Sequence, residues 1–285
     1  MNNTENIVVG IDATTSSIEI LKRAIQLSKE KKAKLMLIHV INQSWFKKLF
    51  PHVDTKEVKE EIESKLENLL ENERIEKSEY QIKIVEGNPA DEIIKYAKEL
   101  KSKLIIIGAN SKEDFTTKLF GSTAHKVAQN GPCPLLIVKN SCQAEYKNIL
   151  AFTDLSDISK ESILFAKNFF DKTDIKLIHA YKQLTDFVIS FYNASQDQYI
   201  ARKQLKEEAK EDFDTFAKEI EITNKELLES YFNVTDILKE KAEGEKADLV
   251  VLGSAGVNNA TSALHGSVAA YLMETLDCDI LLFVE

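Results

Sequence analysis

The chain has 285 residues, of which 44% are hydrophobic and 29% charged, and its formal net charge is -9. This length and composition predict two globular domains, each large enough for its own core. The acidic balance argues against a nucleic-acid-binding protein, which needs a basic face. No apolar run is long enough to span a membrane, no signal peptide is visible, and three widely separated cysteines suit a reducing cytoplasm.

Strands and helices alternate through the first half of the chain. Short apolar, β-branched runs predict buried strands, and apolar residues at a spacing of three and four predict helices. The predicted strands are 7–11, 35–40, 81–85, 104–107 and 135–138, and the predicted helices are 17–31, 55–76, 88–100 and 122–130. This order is typical of an α/β fold in which helices cover both faces of a parallel sheet.

The same order restarts after a short polar connector, residues 140–147. A strand at 149–153 leads to Asp154 as the strand at 7–11 leads to Asp12, and a second Leu-Ile-His run ends at His179. A repeat of this length indicates a duplicated domain. We therefore predict two doubly wound, five-stranded parallel-sheet domains of Rossmann-like type, at residues 1–141 and 145–285.

The carboxyl ends of the strands are the expected ligand site, because sheets of this type bind ligands where the strand order reverses. The residues at these ends are Asp12, Val40 and Gly108 in the first half and Asp154, Ala180 and Gly253 in the second. Each half therefore predicts one crevice bordered by an aspartate and a glycine.

A glycine-rich loop in the second half follows a buried strand that ends at Leu252. Gly253 and Gly256 are followed, after nine intervening residues, by Gly266 and Ser267, where an apolar helical pattern begins. Glycine permits close backbone approach to a ligand, and the free amides at the start of a helix form an anion site. The pattern predicts a phosphate cradle; the alternative is a tight turn between packed elements.

These residues resemble the universal stress protein family in its tandem, two-domain form, and the resemblance covers nearly the whole sequence. The family pattern is Gly, two residues, Gly, nine residues, Gly, then Ser or Thr, which Gly253, Gly256, Gly266 and Ser267 satisfy. The resemblance implies a fold like that of adenine nucleotide alpha hydrolases. It also implies that the final strands, 135–138 and 280–284, pair edge to edge in an intramolecular pseudo-dimer.

The resemblance further implies that the second domain binds ATP or another adenine nucleotide. Asp154 would contact the ribose or the adenine side, and the backbone at Ala180 would read the adenine edge. Gly253 would lie under the ribose, and Leu252 is a further nucleotide-binding candidate. The phosphates would be cradled by Gly256, Gly266, Ser267 and Val268.

The first half departs from the family pattern at one position. Ser111 stands where the second glycine is expected, and its Cβ would block close approach of the backbone to a phosphate. Lys112 and Lys118 still offer positive charge. The first half therefore predicts a weaker site without a triphosphate, and its candidate residues are Asp12, Val40, Gly108, Ser111, Gly121 and Ser122.

The second half departs differently, because no lysine or arginine lies between Val257 and His265. Phosphate binding would depend on backbone amides, on Ser267, on His265 and on a magnesium ion. A mono- or diphosphate is therefore the alternative to ATP. His39 and His179 lack further ligands at metal-binding spacing, which predicts packed or hydrogen-bonded histidines rather than a metal site.

Aromatic stretches follow the second strand of each half. Trp45, Phe46 and Phe50, and later Phe187, Phe191 and Tyr192, are predicted either to cover the crevice or to pack between the halves. If they line a pocket, an apolar or lipid-like metabolite is the alternative ligand. A ligand-free scaffold for protein partners is the third hypothesis.

The preferred prediction is a cytoplasmic, stress-related, nucleotide-binding regulator, with a homodimer as a further possibility. No nucleophile with a paired base is found in the sequence, so any ATP hydrolysis is expected to be slow and no enzyme is predicted.

Overall fold

The computed structural model describes residues 5–12, 17–42, 55–109, 121–185, 198–254 and 267–284. The strands are β1 (Asn6–Gly10), β2 (Lys34–Ile41), β3 (Tyr80–Glu86), β4 (Leu104–Gly108), β5 (Leu135–Val138), β6 (Ile149–Thr153), β7 (Ile175–Lys182), β8 (Lys225–Ser230), β9 (Leu249–Ser254) and β10 (Asp279–Val284). The helices are α1 (Ser17–Lys31), α2 (Thr55–Asn72), α3 (Pro89–Glu99), α4 (Ser122–Asn130), α5 (Asp157–Phe169), α6 (Gln198–Glu219), α7 (Val234–Gly244) and α8 (Ser267–Thr275). The predicted α/β fold, with a mostly parallel sheet and helices between the strands, is confirmed.

The first compact unit contains the described residues of 1–145 together with 279–284. Its parallel strands lie in the order β3-β2-β1-β4-β5. The chain winds to one side of β1 with β2 and β3, and to the other side with β4 and β5. The strand order therefore reverses between β1 and β4, where a crevice opens at the carboxyl ends.

The second compact unit contains the described residues of 146–254 and 267–278. Its parallel strands lie in the order β9-β6-β7-β8, which repeats the arrangement of β4, β1, β2 and β3. The corresponding reversal lies between β6 and β9, and it brings the ends of these two strands together at the same edge.

The last strand of the sequence, β10, belongs to the first compact unit. It pairs antiparallel with β5, with Leu281 opposite Leu136, as the resemblance implies for the two final strands. The predicted boundaries at 1–141 and 145–285 describe repeats in the sequence. The compact units divide the chain differently, because this pairing joins the end of the second repeat to the first unit.

The inner strands are buried on both faces, which explains why they read as continuous apolar runs, whereas most residues of β3 and β8 are half-buried or exposed. Val8, Ile106 and Leu136 are completely inaccessible to solvent, as are Val250 and Leu281. None of the helices in the described ranges combines the length and hydrophobicity needed to cross a membrane.

The charged helix α2 is shorter than predicted and stops at Asn72 rather than at residue 76. Arg74 adopts a left-handed conformation with φ of 55°. Its amide bonds to the carbonyl of Glu71, while that of Ile75 reaches back to Leu70. These two hydrogen bonds form a Schellman motif, which ends the helix. The sequence does not indicate this motif, because the left-handed position is occupied by arginine rather than glycine.

Candidate functional site

A cavity of about 200 Å³ opens at the carboxyl ends of β1, β2 and β4, at the reversal point of the first unit. The described residues that line it are Gly10, Ile11, Asp12, Ile20, Ile38, Val40, Pro89, Ile93, Ile107, Gly108, Ala109, Gly121, Ser122, Thr123 and Ala124. Every weaker candidate predicted in the first half lines this cavity except Ser111, which lies outside the described residues. The structure therefore brings these predicted positions together around one space.

The start of helix α4 forms one wall of the cavity. Gly121 precedes the helix with φ of -70° and ψ of 145°, and no side chain caps the helix at this point. The amide of Gly121 donates to the carbonyl of Ala109 at the end of β4, over 2.9 Å, which fixes the helix start beside the strand. The first-turn amides of α4 therefore offer partial positive charge to a ligand in the cavity.

The one charged side chain among the described lining residues is Asp12. The hydroxyl of Ser17, the first residue of α1, donates to its carboxylate, and the amide of Asp12 donates to the Ser17 oxygen over 3.3 Å. Because Ser17 is completely buried, it holds the aspartate at the end of β1. The remaining walls are chiefly aliphatic, so the cavity combines an apolar body with one acidic group and one helix start.

The two histidines near the ends of β2 and β7 are hydrogen-bonded, as predicted. His39 Nδ1 lies 2.9 Å from the carbonyl of Ile11, and His179 Nδ1 lies 2.8 Å from that of Thr153. Burial lowers the pKa of His39, although the Ile11 carbonyl and the nearby Asp12 charge both oppose this. A neutral imidazole then donates from Nδ1, which ties β2 to the end of β1.

In the second unit, Asp154 lies at the end of β6 and is occupied by a local hydrogen-bond network. Its carboxylate accepts from the amide of Ser156 at 3.1 Å and from the Ser156 hydroxyl at 2.5 Å. Ser156 in turn caps α5 by accepting from the amide of Ser159 at 3.2 Å. Leu155 between them has φ of 67°, a left-handed conformation that is costly for a branched side chain. Asp154 thus helps to order the start of α5.

We expect the pKa of Asp154 to be lower than the 3.8 of an unperturbed aspartate. Partial burial favours the neutral acid, but the hydrogen bonds from Ser156 and Ser159 favour the carboxylate and prevail. A lowered pKa contributes stability that is complete above the unfolded value and is lost as the pH falls through the folded one. The stability difference between wild type and Asp154→Asn should therefore be constant above about pH 5 and shrink as the pH falls from there through the lowered pKa of Asp154. Urea unfolding at each pH measures it, and a constant difference would contradict the expectation.

Gly253, at the end of β9, has a packing role that the sequence does not reveal. A Cβ at this position would lie 3.0 Å from both the Cα and the amide nitrogen of Ser159. Glycine is therefore needed for the backbone of α5 to approach β9. Leu252 before it is buried in the core, so only its backbone is available at the edge.

The other predicted residues of the second half are only partly described. Ala180 lies in β7 and is buried, Val268 lies in the first turn of α8, and Ser267 begins that helix. Outside the described residues lie Gly256, Gly266, Val257 and His265, the first-half residues Ser111, Lys112 and Lys118, and both aromatic stretches (Trp45, Phe46, Phe50, Phe187, Phe191 and Tyr192). The predicted phosphate cradle therefore stays a prediction.

The floors of the two crevices differ at one strand position. Gly10 pairs with Ile38 in the first unit, and Phe152 pairs with Ile178 at the matching place in the second. A Cβ at Gly10 would lie 2.5 Å from the Cδ1 atom of Ile93, a cavity-lining side chain on α3. Phe152 is 5% exposed. The second unit therefore buries an aromatic ring at the strand position where the first unit has Gly10 packed against Ile93.

Sequence reasoning missed the contribution of α3 to the cavity. Pro89 and Ile93 line it, but the helical pattern predicts only that such residues face the core. The available signal was the position of Pro89, directly after the N-cap Asn88 and next to the end of β3. A helix that begins at the carboxyl edge of the sheet directs its first turn toward the crevice.

The universal stress protein family model matches residues 3–139 and again 145–283. The chain belongs to the universal stress protein family. It is 32% identical over 139 residues to the universal stress protein MJ0531 of Methanocaldococcus jannaschii, a match that covers 47% of this chain and 82% of that protein. The two family matches confirm the tandem form.

Solved structures support the fold of this universal stress protein over its full length. A universal stress protein from Archaeoglobus fulgidus superposes with a TM-score of 0.65 at 18% identity and covers 98% of both chains. Another universal stress protein, solved in complex with cAMP, matches 47% of this chain and 92% of its own at 22% identity, with a TM-score of 0.34.

Proposed function

We propose that this chain binds an adenine nucleotide at the carboxyl edge of its sheets, and that the second repeat holds the phosphates. The observation that supports this is the cavity of the first unit, bordered by Asp12, Val40, Gly108 and Gly121. These positions make a ligand-sized space in this chain. The second repeat carries the matching positions and, in addition, the complete glycine spacing.

The nucleotide would be held in parts by different elements of the second repeat. The backbone at Ala180 reads the adenine edge, while Asp154 and Gly253 lie at the ribose. The amides at the start of α8, with Gly256, Gly266 and Ser267, hold the phosphates as an N-terminal anion site. Magnesium would enter with the phosphates, since it is usually bound by substrate phosphates together with one or two carboxylates.

The role that fits this chemistry is binding and signalling rather than catalysis. A nucleophile needs a base within hydrogen-bonding reach to attack a phosphate, and no serine or cysteine with such a base is identified in the sequence. The protein would act in the cytoplasm as a stress-related nucleotide sensor, with at most slow hydrolysis of ATP. Its tandem repeats supply a pseudo-dimer within one chain, and association of two chains is a further possibility.

A second candidate function rests on the chemistry of the first-unit cavity. Its described walls are chiefly aliphatic, with Ile20, Ile38 and Ile107 among them. Such a lining suits an apolar metabolite with a single hydroxyl or amine for Asp12. Mass spectrometry of organic extracts of the purified protein tests this candidate, with Ala124→Phe as the variant that fills the cavity and should abolish any bound compound.

Native mass spectrometry tests the main proposal. The protein is purified without added nucleotide and then titrated with ATP and magnesium. One nucleotide per chain is expected. Two per chain would mean that Ser111 does not prevent binding in the first repeat. No binding at millimolar nucleotide concentrations would overturn the proposal and favour the apolar ligand or the ligand-free scaffold.

A further inference from the structure

An exposed aromatic pair lies at the carboxyl edge of the second unit. Phe232 is 81% exposed, the most exposed large apolar side chain among the described residues, and its neighbour Tyr231 is 42% exposed. Both lie between the end of β8 and the start of α7. A ligand that covers the phenylalanine ring would therefore gain the stabilisation that burial of its apolar surface gives.

The segment that carries Phe232 is fixed by its neighbours. The Tyr231 hydroxyl donates to Glu229 Oε1 over 3.1 Å, and the guanidinium of Arg202 lies 5.8 Å from the centre of the Tyr231 ring. Gln183, which is buried at the end of β7, donates to the same Glu229 oxygen over 2.8 Å. These contacts hold the segment that carries Phe232 against β7 and α6.

The internal repeat relates Phe232 to the edge of a ligand cavity. Asn88 and Asn233 are the N-cap residues of α3 and α7, and each is followed three residues later by an aspartate of the first helical turn, Asp91 or Asp236. Pro89, the residue after Asn88, lines the first-unit cavity. Phe232 directly precedes Asn233, so the repeat matches it to Gly87, two residues before the cavity-lining Pro89.

We infer that Phe232 stacks on the adenine base of the nucleotide held by the second repeat. This inference rests on the proposed function and adds the group that recognises the base. Ala180 on β7 would contact the base edge, and β8, which leads to Phe232, is the strand paired with β7. An aromatic ring beside that strand end offers the flat face that a purine requires. The first repeat, with Gly87 at this position, lacks the stacking group.

The decisive experiment compares Phe232→Ala with wild type by isothermal titration calorimetry. ATP affinity should fall about tenfold, as loss of one base-stacking ring typically gives, while affinity for inorganic tripolyphosphate should not change. Ile200→Ala is the matched control, since Ile200 is 54% exposed on α6 and should leave ATP affinity unchanged. Equal ATP affinity in Phe232→Ala and wild type would overturn the inference.

A second variant reports on stacking directly. In Phe232→Trp, ATP should quench the fluorescence of the new indole and tripolyphosphate should not, with wild type, whose single tryptophan is Trp45, as the blank. Absence of quenching in a variant that still binds ATP would point to a protein partner at this patch and overturn the inference alone. Absence of ATP binding by wild type would overturn the proposed function as well, which separates the two failures.

Discussion

Replacing Asp279 with asparagine is expected to lower the free energy of unfolding by about 3 kcal/mol, because it leaves a buried arginine without its counter-charge. Asp279, at the start of β10, is 1% exposed, and its Oδ2 atom lies 3.8 Å from Nε of Arg23, which is 6% exposed. Its Oδ1 atom also accepts from the amides of Lys139 and Asn140, at 2.8 and 3.1 Å. One carboxylate therefore joins β10, α1 and the connector after β5.

The control for this prediction is Asp248→Asn. Asp248 likewise accepts from two connector amides, those of Lys147 and Asn148, both at 2.9 Å, but it is exposed. Its replacement should cost less than about 1 kcal/mol. Urea unfolding followed by circular dichroism measures both variants. Equal losses would mean that burial of the Arg23 charge is not the cause of the Asp279 effect.

A double variant separates the charge from the shape of the site. Arg23→Met together with Asp279→Asn removes both charges, so much of the stability lost in Asp279→Asn should return. The guanidinium of Arg23 also donates to the carbonyl of Ala144 over 2.8 Å, so recovery will be incomplete. A double variant less stable than Asp279→Asn alone would show that the arginine stabilises the fold through that carbonyl rather than through the ion pair.

The sequence predicted the elements of the fold because most of its signals are local. The strand at Leu249 is a continuous apolar run, and the helix at Ser122 follows a glycine, so each can be located without knowledge of the rest. Helix α2 ended early because its stop depends on a left-handed Arg74, and the preference for glycine at such positions is only statistical. Local rules therefore locate elements well and their ends less well.

The tertiary contacts could not be predicted in the same way. Arg23 lies on a helix whose charged residues are expected to face solvent, and Asp279 lies at the far end of the sequence. Nothing in either local pattern indicates that the two meet in the interior. The buried pair arises only because β10 pairs with β5, which is a consequence of topology.

The same distinction between local signals and tertiary contacts applies to the candidate site. Asp12, Val40, Gly108 and Gly121 were predicted from their places at strand and helix ends, and they meet around the cavity. The sequence could not predict which hydrogen bonds each of these residues makes at the edge of the sheet. Asp154 is engaged by Ser156, which a list of strand ends does not reveal. A nucleotide that uses this carboxylate has to share it with the N-terminal turn of α5.

Replacing Gly266 with valine is expected to weaken ATP binding by about 100-fold or more. Gly266 is the third glycine of the family pattern and directly precedes α8 in the sequence, so we expect a branched side chain there to remove at least two charge-assisted hydrogen bonds to phosphate, each worth about 1.5 kcal/mol or more. Isothermal titration calorimetry with ATP and magnesium measures the loss. Circular dichroism and the unfolding midpoint must match wild type for the comparison to hold.

Gly121→Val is the matched variant in the first repeat, and it decides which repeat holds the nucleotide. Gly121 has φ of -70° and ψ of 145°, a conformation open to valine, so the variant should fold. ATP bound in the second repeat should remain, because the substitution changes only the cavity of the first unit. If Gly121→Val abolishes binding and Gly266→Val does not, the nucleotide occupies that cavity. In that case Phe152, which occupies the position of Gly10 in the first repeat, would be the first residue to replace in order to learn why the second repeat does not bind the nucleotide.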